Sequence, residues 1–325
     1  MTPHPILEPD LPIIDAHHHL RETPVIRYLL DELLADLNTG HAIKASVFIE
    51  GGTQYYDSGP EALRPVGETA FAAQAARAAA ARGGPLACAA IVGYADLTDP
   101  MAGDVLRAHI DAGLGRFRGV RMLTGIDGEF KPTHREVTAG VLGTPEFARG
   151  MHELRNLGLS YDCLVYFSQL DEVLDLARRC PDTPIVLNHI GQPIRIGRYA
   201  SQREEVRARW QAGIRALSHC ANVFLKLGGL GVSAIGYHYR DHQPPVTPEH
   251  MAMDWLPWMA HCIKCFGTAR CMFESNFPVD NTLGNYDAVW NAFKVIARGC
   301  SAAEKADLFY ETARRVYRSA VPPPA

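Results

Sequence analysis

Three consecutive histidines end the first apolar run of the chain. Residues 11–14 are apolar, and they are followed by Asp15, an alanine, and then His17, His18 and His19. Because side chains alternate between the two faces of a strand, we predict that His17 and His19 share a face with Asp15 while His18 points away. Neutral imidazole is the commonest metal ligand, and two imidazoles spaced in this way can hold one ion. A polar strand end with only structural hydrogen bonds is the alternative.

Single polar residues also end or interrupt later apolar runs. His189 follows the apolar residues of the sixth run, Arg121 is the only charged residue of the fourth, and Lys226 interrupts the seventh. A cation buried at the mouth of a sheet needs an anionic partner, which for Arg121 is either a protein carboxylate or a substrate carboxylate. The long stem of Lys226 could instead carry its ammonium group outward to solvent. His189 and Arg121 are therefore predicted site residues, and Lys226 is predicted to be structural or to contact substrate.

The last apolar run is rich in groups that could do chemistry. Glu274 and Asn276 share one face by alternation, and Asp280 follows in the loop beyond the proline that stops the strand. Two carboxylates and an amide thus cluster at one strand end.

Eight apolar runs of strand length position these residues, and amphipathic stretches separate them. The predicted strands cover 11–19, 45–50, 86–92, 119–123, 159–166, 184–189, 223–227 and 270–275. The predicted helices cover 25–37, 68–81, 101–112, 145–157, 169–179, 203–220, 248–266 and 286–298, and a final helix covers 302–317. This alternation predicts an α/β fold of the (β/α)8 TIM-barrel type, in a single domain over residues 1–325. An open doubly wound sheet should show a glycine-rich phosphate turn after its first strand, and residues 20–24 do not.

A barrel brings the C-terminal ends of all its strands to one mouth. His17, Arg121, His189 and Asn276 are therefore predicted to line one pocket. The loops at 51–63, 124–134 and 228–248 are long enough to roof it.

Composition limits the classes of partner. The 325 residues include 32 basic and 36 acidic side chains, for a formal charge of -4, with no polybasic run that would indicate nucleic acid or an anionic membrane. No membrane-spanning apolar stretch and no signal peptide are recognisable, so a cytoplasmic protein with a small-molecule partner is predicted, either as a monomer or as a homo-oligomer. The eight cysteines are too sparse for a disulfide scaffold, and Cys262 and Cys265 are predicted to pack within a helix.

Four segments together resemble the amidohydrolase superfamily. They are residues 15–19, 186–193, 223–230 and 273–280, and their order is preserved along nearly the whole chain. Within that superfamily they look like the amidohydrolase-related branch that contains sugar-lactone and dicarboxylate-lactone hydrolases. The resemblance implies a TIM barrel in which His17, His19, His189 and a strand-eight carboxylate surround a divalent metal of the zinc type or the substrate carbonyl.

The chain departs from the family pattern in two places. Asn276 occupies the position that is aspartate in the hydrolytic members, and the fifth run ends at Tyr166 without the histidine of the two-metal members. At most one ion is therefore expected. An amide cannot take a proton from water, so the general base must be another group. We predict Asp280, in a loop that solvent and substrate reach, while Glu274 lies one pleat deeper, paired with Lys226 or Arg121.

The sequence as a whole predicts a hydrolase that opens a small sugar lactone or dicarboxylate lactone. The predicted catalytic residues are His17, His19, Arg121, His189, Glu274, Asn276 and Asp280, and the predicted substrate contacts are Tyr55, Tyr166, Gln192, Lys226 and Tyr237. One alternative is a non-oxidative decarboxylase of an aromatic or dienoic acid. Another is a barrel that binds a metabolite without turning it over.

Overall fold

Eight parallel strands form the central sheet in the computed structural model, which describes residues 5–24, 26–128, 130–131 and 136–318. The strands are β1 (Ile13–His18), β2 (Ile43–Ile49), β3 (Leu86–Gly93), β4 (Phe117–Val120), β5 (Ser160–Cys163), β6 (Ile185–Leu187), β7 (Val223–Leu227) and β8 (Cys271–Phe273). Each strand pairs with its neighbour in the chain. The sheet closes where Asn276 N donates to His17 O (2.9 Å) and His19 N to Phe277 O (2.8 Å). The predicted TIM barrel is confirmed.

Helices cover the outer face of the sheet. They are α1 (Leu30–Leu37), α2 (Val66–Arg82), α3 (Ala102–Ala112), α4 (Pro145–Asn156), α5 (Leu170–Arg179), α6 (Arg203–Leu217), α7 (Pro248–Phe266) and α8 (Tyr286–Ile296). The last helix has a wider π turn at Asp307–Glu311, between α9 (Ala302–Ala306) and α10 (Thr312–Tyr317). Two two-residue strands, Arg21–Glu22 and Arg27–Tyr28, form a hairpin after β1.

Local sequence explains where two of the helices begin. α4 starts at a proline whose predecessor, Thr144, accepts a hydrogen bond from Phe147 N at 3.2 Å. α7 repeats this arrangement with Thr247, which accepts from His250 N at 3.3 Å. A threonine cap followed by proline satisfies one free amide and removes another.

A membrane-spanning segment would need a long helix that is apolar along its length, and none of the helices in the described residues has this character.

The interior of the barrel is filled mainly by aliphatic side chains, several of them small, and is closed below by the last helix. Ala16 of β1, Ala45 and Val47 of β2 and Val92 of β3 belong to this cluster. Tyr317 of α10 joins them, and its hydroxyl donates to Asp162 at 2.8 Å. Because both faces of the sheet are buried, the strands read as nearly continuous apolar runs.

Six of the eight strands end earlier at the mouth than the sequence predicts, while β3 ends one residue later and β7 ends where predicted. β6 ends at Leu187 and β8 at Phe273, so His189, Glu274 and Asn276 follow their strands rather than lie within them. His189 and Asn276 have φ values of 53° and 54°, which a strand ladder does not accommodate. Residue 25, where the first helix was predicted to start, and residues 129 and 132–134 of a predicted roof loop lie outside the described residues.

Candidate active site

Glu274 lies at the centre of the mouth and contacts two histidines. Its Oε1 accepts from His189 Nδ1 at 2.7 Å and from His189 N at 3.2 Å. Its Oε2 lies 2.7 Å from His17 Nδ1, but outside the direction of a hydrogen bond, and has no hydrogen-bond partner in the described part of the chain. All three side chains are buried. The predicted depth of Glu274 is correct, but the predicted pairing with Lys226 or Arg121 is wrong.

Two glycines after β7 make this close packing possible. A Cβ atom at Gly228 would overlap the side chain of Glu274, and one at Gly229 would overlap the ring of His189. Gly229 also has a φ of +67°, a conformation that other residues adopt at a cost. The Leu-Gly-Gly-Leu segment thus leaves the space in which the carboxylate and the imidazole meet.

His17 and His19 both point into the mouth, as predicted. Their Nε2 atoms are 3.2 Å apart, and His19 Nδ1 donates to Ile49 O at 2.8 Å. Burial lowers the pKa of both imidazoles well below the ordinary value, so both are neutral near pH 7. His18 turns away and lies 3.0 Å from Ser46 Oγ.

Asp15 does not share the face of His17, contrary to the prediction from alternation. The pairing register of β1 shifts between Asp15 and His18. The carboxylate of Asp15 accepts instead from Ser275 Oγ at 2.6 Å and from the hydroxyl of Tyr286, at the start of α8, at 3.0 Å. An irregular register interrupts the strict alternation of side chains, and here it turns the side chain of Asp15 away from the face of His17.

Arg121 and Lys226 each have a protein carboxylate as partner. Arg121 Nε donates to Glu50 at 2.8 Å, and Arg121 Nη1 lies 3.3 Å from His17 Nε2. Lys226 Nζ donates to Asp162 at 2.8 Å and lies 3.3 Å from His17 Nδ1. Lys226 is fully buried, so the expectation that its stem could reach solvent is wrong.

Sequence reasoning missed Glu50 and Asp162. Glu50 ends an apolar run and Asp162 lies inside one, so the same pattern that identified the other site residues was present for both. Nothing local in the sequence indicates the contribution of Tyr317, which reaches Asp162 from the last helix.

A pocket of about 490 Å³ lies directly above this cluster. Its wall contains His19, Arg21, Gly51, Arg121, Leu123, Lys131, Leu164, Tyr166, His189, Gln192, Gly231, Val232, Ser233, Asn276 and Val279. Of the four residues predicted to share one pocket, Arg121, His189 and Asn276 line it, and His17 lies buried beneath them. The wall holds three cationic side chains, and none of its described residues is a carboxylate.

The predicted substrate contacts are only partly brought together. Tyr166 and Gln192 line the pocket, and Lys226 lies below it. Tyr55 lines a separate cavity near Glu61. The hydroxyl of Tyr237 donates to Asp254 O at 3.0 Å, outside the wall of the pocket.

Asp280 is buried, and the expectation that solvent reaches it is wrong. It is 1% exposed and is absent from the wall of the pocket. Asn276 Nδ2 donates to Asp280 Oδ1 at 2.8 Å, so the amide lies between this carboxyl and the pocket. Burial is the main cause that raises the pKa of Asp280 to about 8, so the group is largely protonated at pH 7.

Replacing Asp280 by asparagine should change how stability depends on pH. Between the ordinary carboxyl pKa of 3.8 and about 8, the folded protein keeps a proton on Asp280 that the unfolded chain has lost. The free energy of unfolding therefore decreases as pH rises through this range, and the decrease should be smaller in Asp280→Asn. Urea denaturation at pH 5 and pH 8 measures it. Asp15, whose pKa burial raises to about 6, titrates in both proteins alike. Equal pH dependence in the two proteins would contradict the assignment.

The residues around Glu274 fit a single divalent ion. One ligand atom from each of His17, His189 and Glu274 lies within 4.8 Å of the others, and Glu274 Oε2 is a buried oxygen without a hydrogen bond in the described part of the chain. His19, which was also predicted as a ligand, adds an Nε2 atom 3.2 Å from that of His17. Neutral imidazoles and a carboxylate form a donor set that zinc-like ions accept.

The chain is similar to other proteins over most of its length. A family model described as amidohydrolase matches residues 14–319. Uncharacterized protein y4mH of Sinorhizobium fredii is 34% identical over 291 residues, which cover 90% of this chain and 86% of that protein. The L-fucono-1,5-lactonase of Burkholderia multivorans is 30% identical over 280 residues, 82% of this chain and 87% of that one. A crystal structure of an amidohydrolase from Burkholderia multivorans with bound zinc has a TM-score of 0.72 and 25% identity, over 94% of this chain and 99% of that chain.

Proposed function

The chain belongs to the amidohydrolase family, and from that premise we propose that it is a hydrolase that opens the ring of a small lactone with water. The observation that carries the proposal is the position of the Glu274 cluster, with its two imidazoles, directly beneath the pocket. The pocket volume, about 490 Å³, is within the usual range for a small-molecule site. The similarity to a protein named as a lactonase supports the choice of a lactone.

Arg121 is the proposed group that stabilises the charge that hydrolysis creates. Attack of water on a lactone carbonyl transfers negative charge to the carbonyl oxygen, and fixed cationic donors lower the energy of that state. Glu50 holds the guanidinium group through Nε, so Arg121 needs little reorganisation when the charge develops. Its place in the wall of the pocket supports this role.

A divalent ion is the proposed cofactor, held by His17, His189 and Glu274 with His19 beside them. Such an ion polarises a carbonyl and lowers the pKa of a bound water. Metal content of the purified protein measures whether these residues hold an ion.

His189 is the proposed base when Glu274 holds it by a hydrogen bond. The bond from His189 Nδ1 to Glu274 Oε1 fixes the ring and leaves Nε2 as the nitrogen that can take a proton from water. Asp280, the base predicted from the sequence, stays a prediction. Its raised pKa means that it would be ionised, and so able to accept a proton, mainly above about pH 8.

A panel of sugar lactones and dicarboxylate lactones tests the proposal. Ring opening of a lactone to its acid releases a proton, which a pH indicator detects, and evolved carbon dioxide is measured in parallel on aromatic and dienoic acids. We expect proton release with kcat/KM of at least about 10⁴ M⁻¹s⁻¹ for the best lactone, the lower end for ordinary enzymes. Carbon dioxide release without lactone opening would favour the decarboxylase. Saturable binding with no turnover of any compound would favour the metabolite-binding barrel.

A further inference from the structure

Arg21 is a cationic residue of the pocket whose charge no described carboxylate balances. It begins the short hairpin two residues after His19, and it lines the pocket. Its Nε is buried and has no hydrogen-bond partner within the described ranges. Arg121, in the same wall, differs because it already pairs with a carboxylate, Glu50, at 2.8 Å. Of these two arginines, Arg21 is therefore the one that is available to an anion.

Two amide side chains of the pocket also have unused hydrogen-bonding capacity. Gln192 Oε1 and Asn276 Oδ1 have no hydrogen-bond partner among the residues the structure describes, although the two residues are only 2% and 1% exposed. The bond from Asn276 Nδ2 to Asp280 fixes which end of that amide remains unpaired. Buried polar atoms in folded proteins nearly always find partners, so a ligand that donates hydrogen bonds would complete these two. Hydroxyl groups are such donors.

We propose that the substrate is a polyhydroxylated lactone that also carries a carboxylate, and that Arg21 binds this carboxylate. Gln192 and Asn276 accept hydrogen bonds from hydroxyl groups of the same molecule. The assignment rests on the proposed lactone hydrolysis and names its substrate class. It also separates two tasks, because Arg121 stabilises the reacting oxygen while Arg21 selects the anionic substituent.

Two five-membered lactones test this assignment. The lactones of gluconic acid and glucaric acid differ in that the second has a carboxylate where the first has a hydroxymethyl group. We expect the wild-type protein to prefer the glucaric lactone by about tenfold or more in kcat/KM, and Arg21→Gln to lower that value by about tenfold to a hundredfold, the usual effect of losing a charge-assisted hydrogen bond. The same substitution should change kcat/KM for the gluconic lactone by less than about threefold, since no charge is lost there.

Arg27→Gln is the matched control on the same hairpin. Arg27 is half exposed, pairs with Glu22 and Glu32, and lies outside the pocket wall, so its loss should leave the preference unchanged. An equal loss in both variants, or no preference for the glucaric lactone in the wild type, would overturn the assignment.

A binding measurement separates this assignment from the proposed reaction. Calorimetry with the open-chain acids glucarate and gluconate needs no turnover. Tighter binding of glucarate that Arg21→Gln abolishes supports the anion site even if neither lactone is hydrolysed, in which case the lactonase proposal alone fails. Equal affinity for the two acids, or unchanged glucarate binding in the variant, overturns the anion site even if lactones are hydrolysed.

Discussion

Replacing Glu274 by glutamine is expected to lower kcat/KM for a lactone substrate by about a hundredfold to ten-thousandfold, the range for loss of general acid–base catalysis. The carboxylate contacts His189 and His17 at 2.7 Å each, so its removal affects both imidazoles at once. A neutral amide can still hydrogen-bond but cannot balance a protonated imidazole or bind a divalent ion as an anion. Steady-state kinetics at pH 7 measures the loss, and the far-ultraviolet circular dichroism spectrum confirms the fold.

Asp280→Asn is the matched comparison, because it makes the same type of change at the other carboxyl of this strand end. Burial raises the pKa of Asp280 to about 8, and the residue has no place in the pocket wall, so its loss should lower kcat/KM by less than about tenfold. Metal content, measured on the same preparations, should fall in Glu274→Gln only. A folded Glu274→Gln variant with normal activity, alongside an inactive Asp280→Asn variant, would return the role of base to Asp280.

Lys226→Met is expected to lower the free energy of unfolding by about 3–5 kcal/mol, the usual result of breaking a buried ion pair from one side. Lys226 and Asp162 are both fully buried and 2.8 Å apart. Tyr317 and Asn188 still donate to the remaining carboxylate, at 2.8 and 3.0 Å, but neither carries a positive charge. Since whole domains are stable by about 5–15 kcal/mol, the effect is large enough to measure by urea denaturation.

The double variant Lys226→Met, Asp162→Asn separates charge from packing. Removing both charges should recover a substantial part of the lost stability, because no uncompensated ion remains in the interior. Should the double variant be less stable than Lys226→Met by the full effect of Asp162→Asn alone, the two groups act independently and the pair is not coupled.

The barrel was predictable because its signal is repeated along the chain. Eight buried strands each read as an apolar run, and polar side chains at their ends mark the mouth, where His17, Arg121 and His189 do meet. The family resemblance required only that the motifs stand in order. Neither inference depends on the position of any single atom.

The pairing of charges inside the mouth was not predictable in the same way. Arg121 meets Glu50 and Lys226 meets Asp162 because alternate strands of the barrel, β2 with β4 and β5 with β7, place them together, and local sequence does not encode that distance. Asp280 follows a strand end and was therefore expected in solvent, yet the turn Val279–Thr282 packs against the loop at Gly231 and buries it.

The most direct test of the central claim is the mass of the product formed in water enriched in heavy oxygen. Hydrolysis of a lactone at its carbonyl by the wild-type protein should place one heavy oxygen atom in the carboxylate of the ring-opened acid. After the same reaction time, the Glu274→Gln variant should form no such labelled product. A product lighter by carbon dioxide, or a substrate recovered unchanged with every lactone tested, would contradict the account.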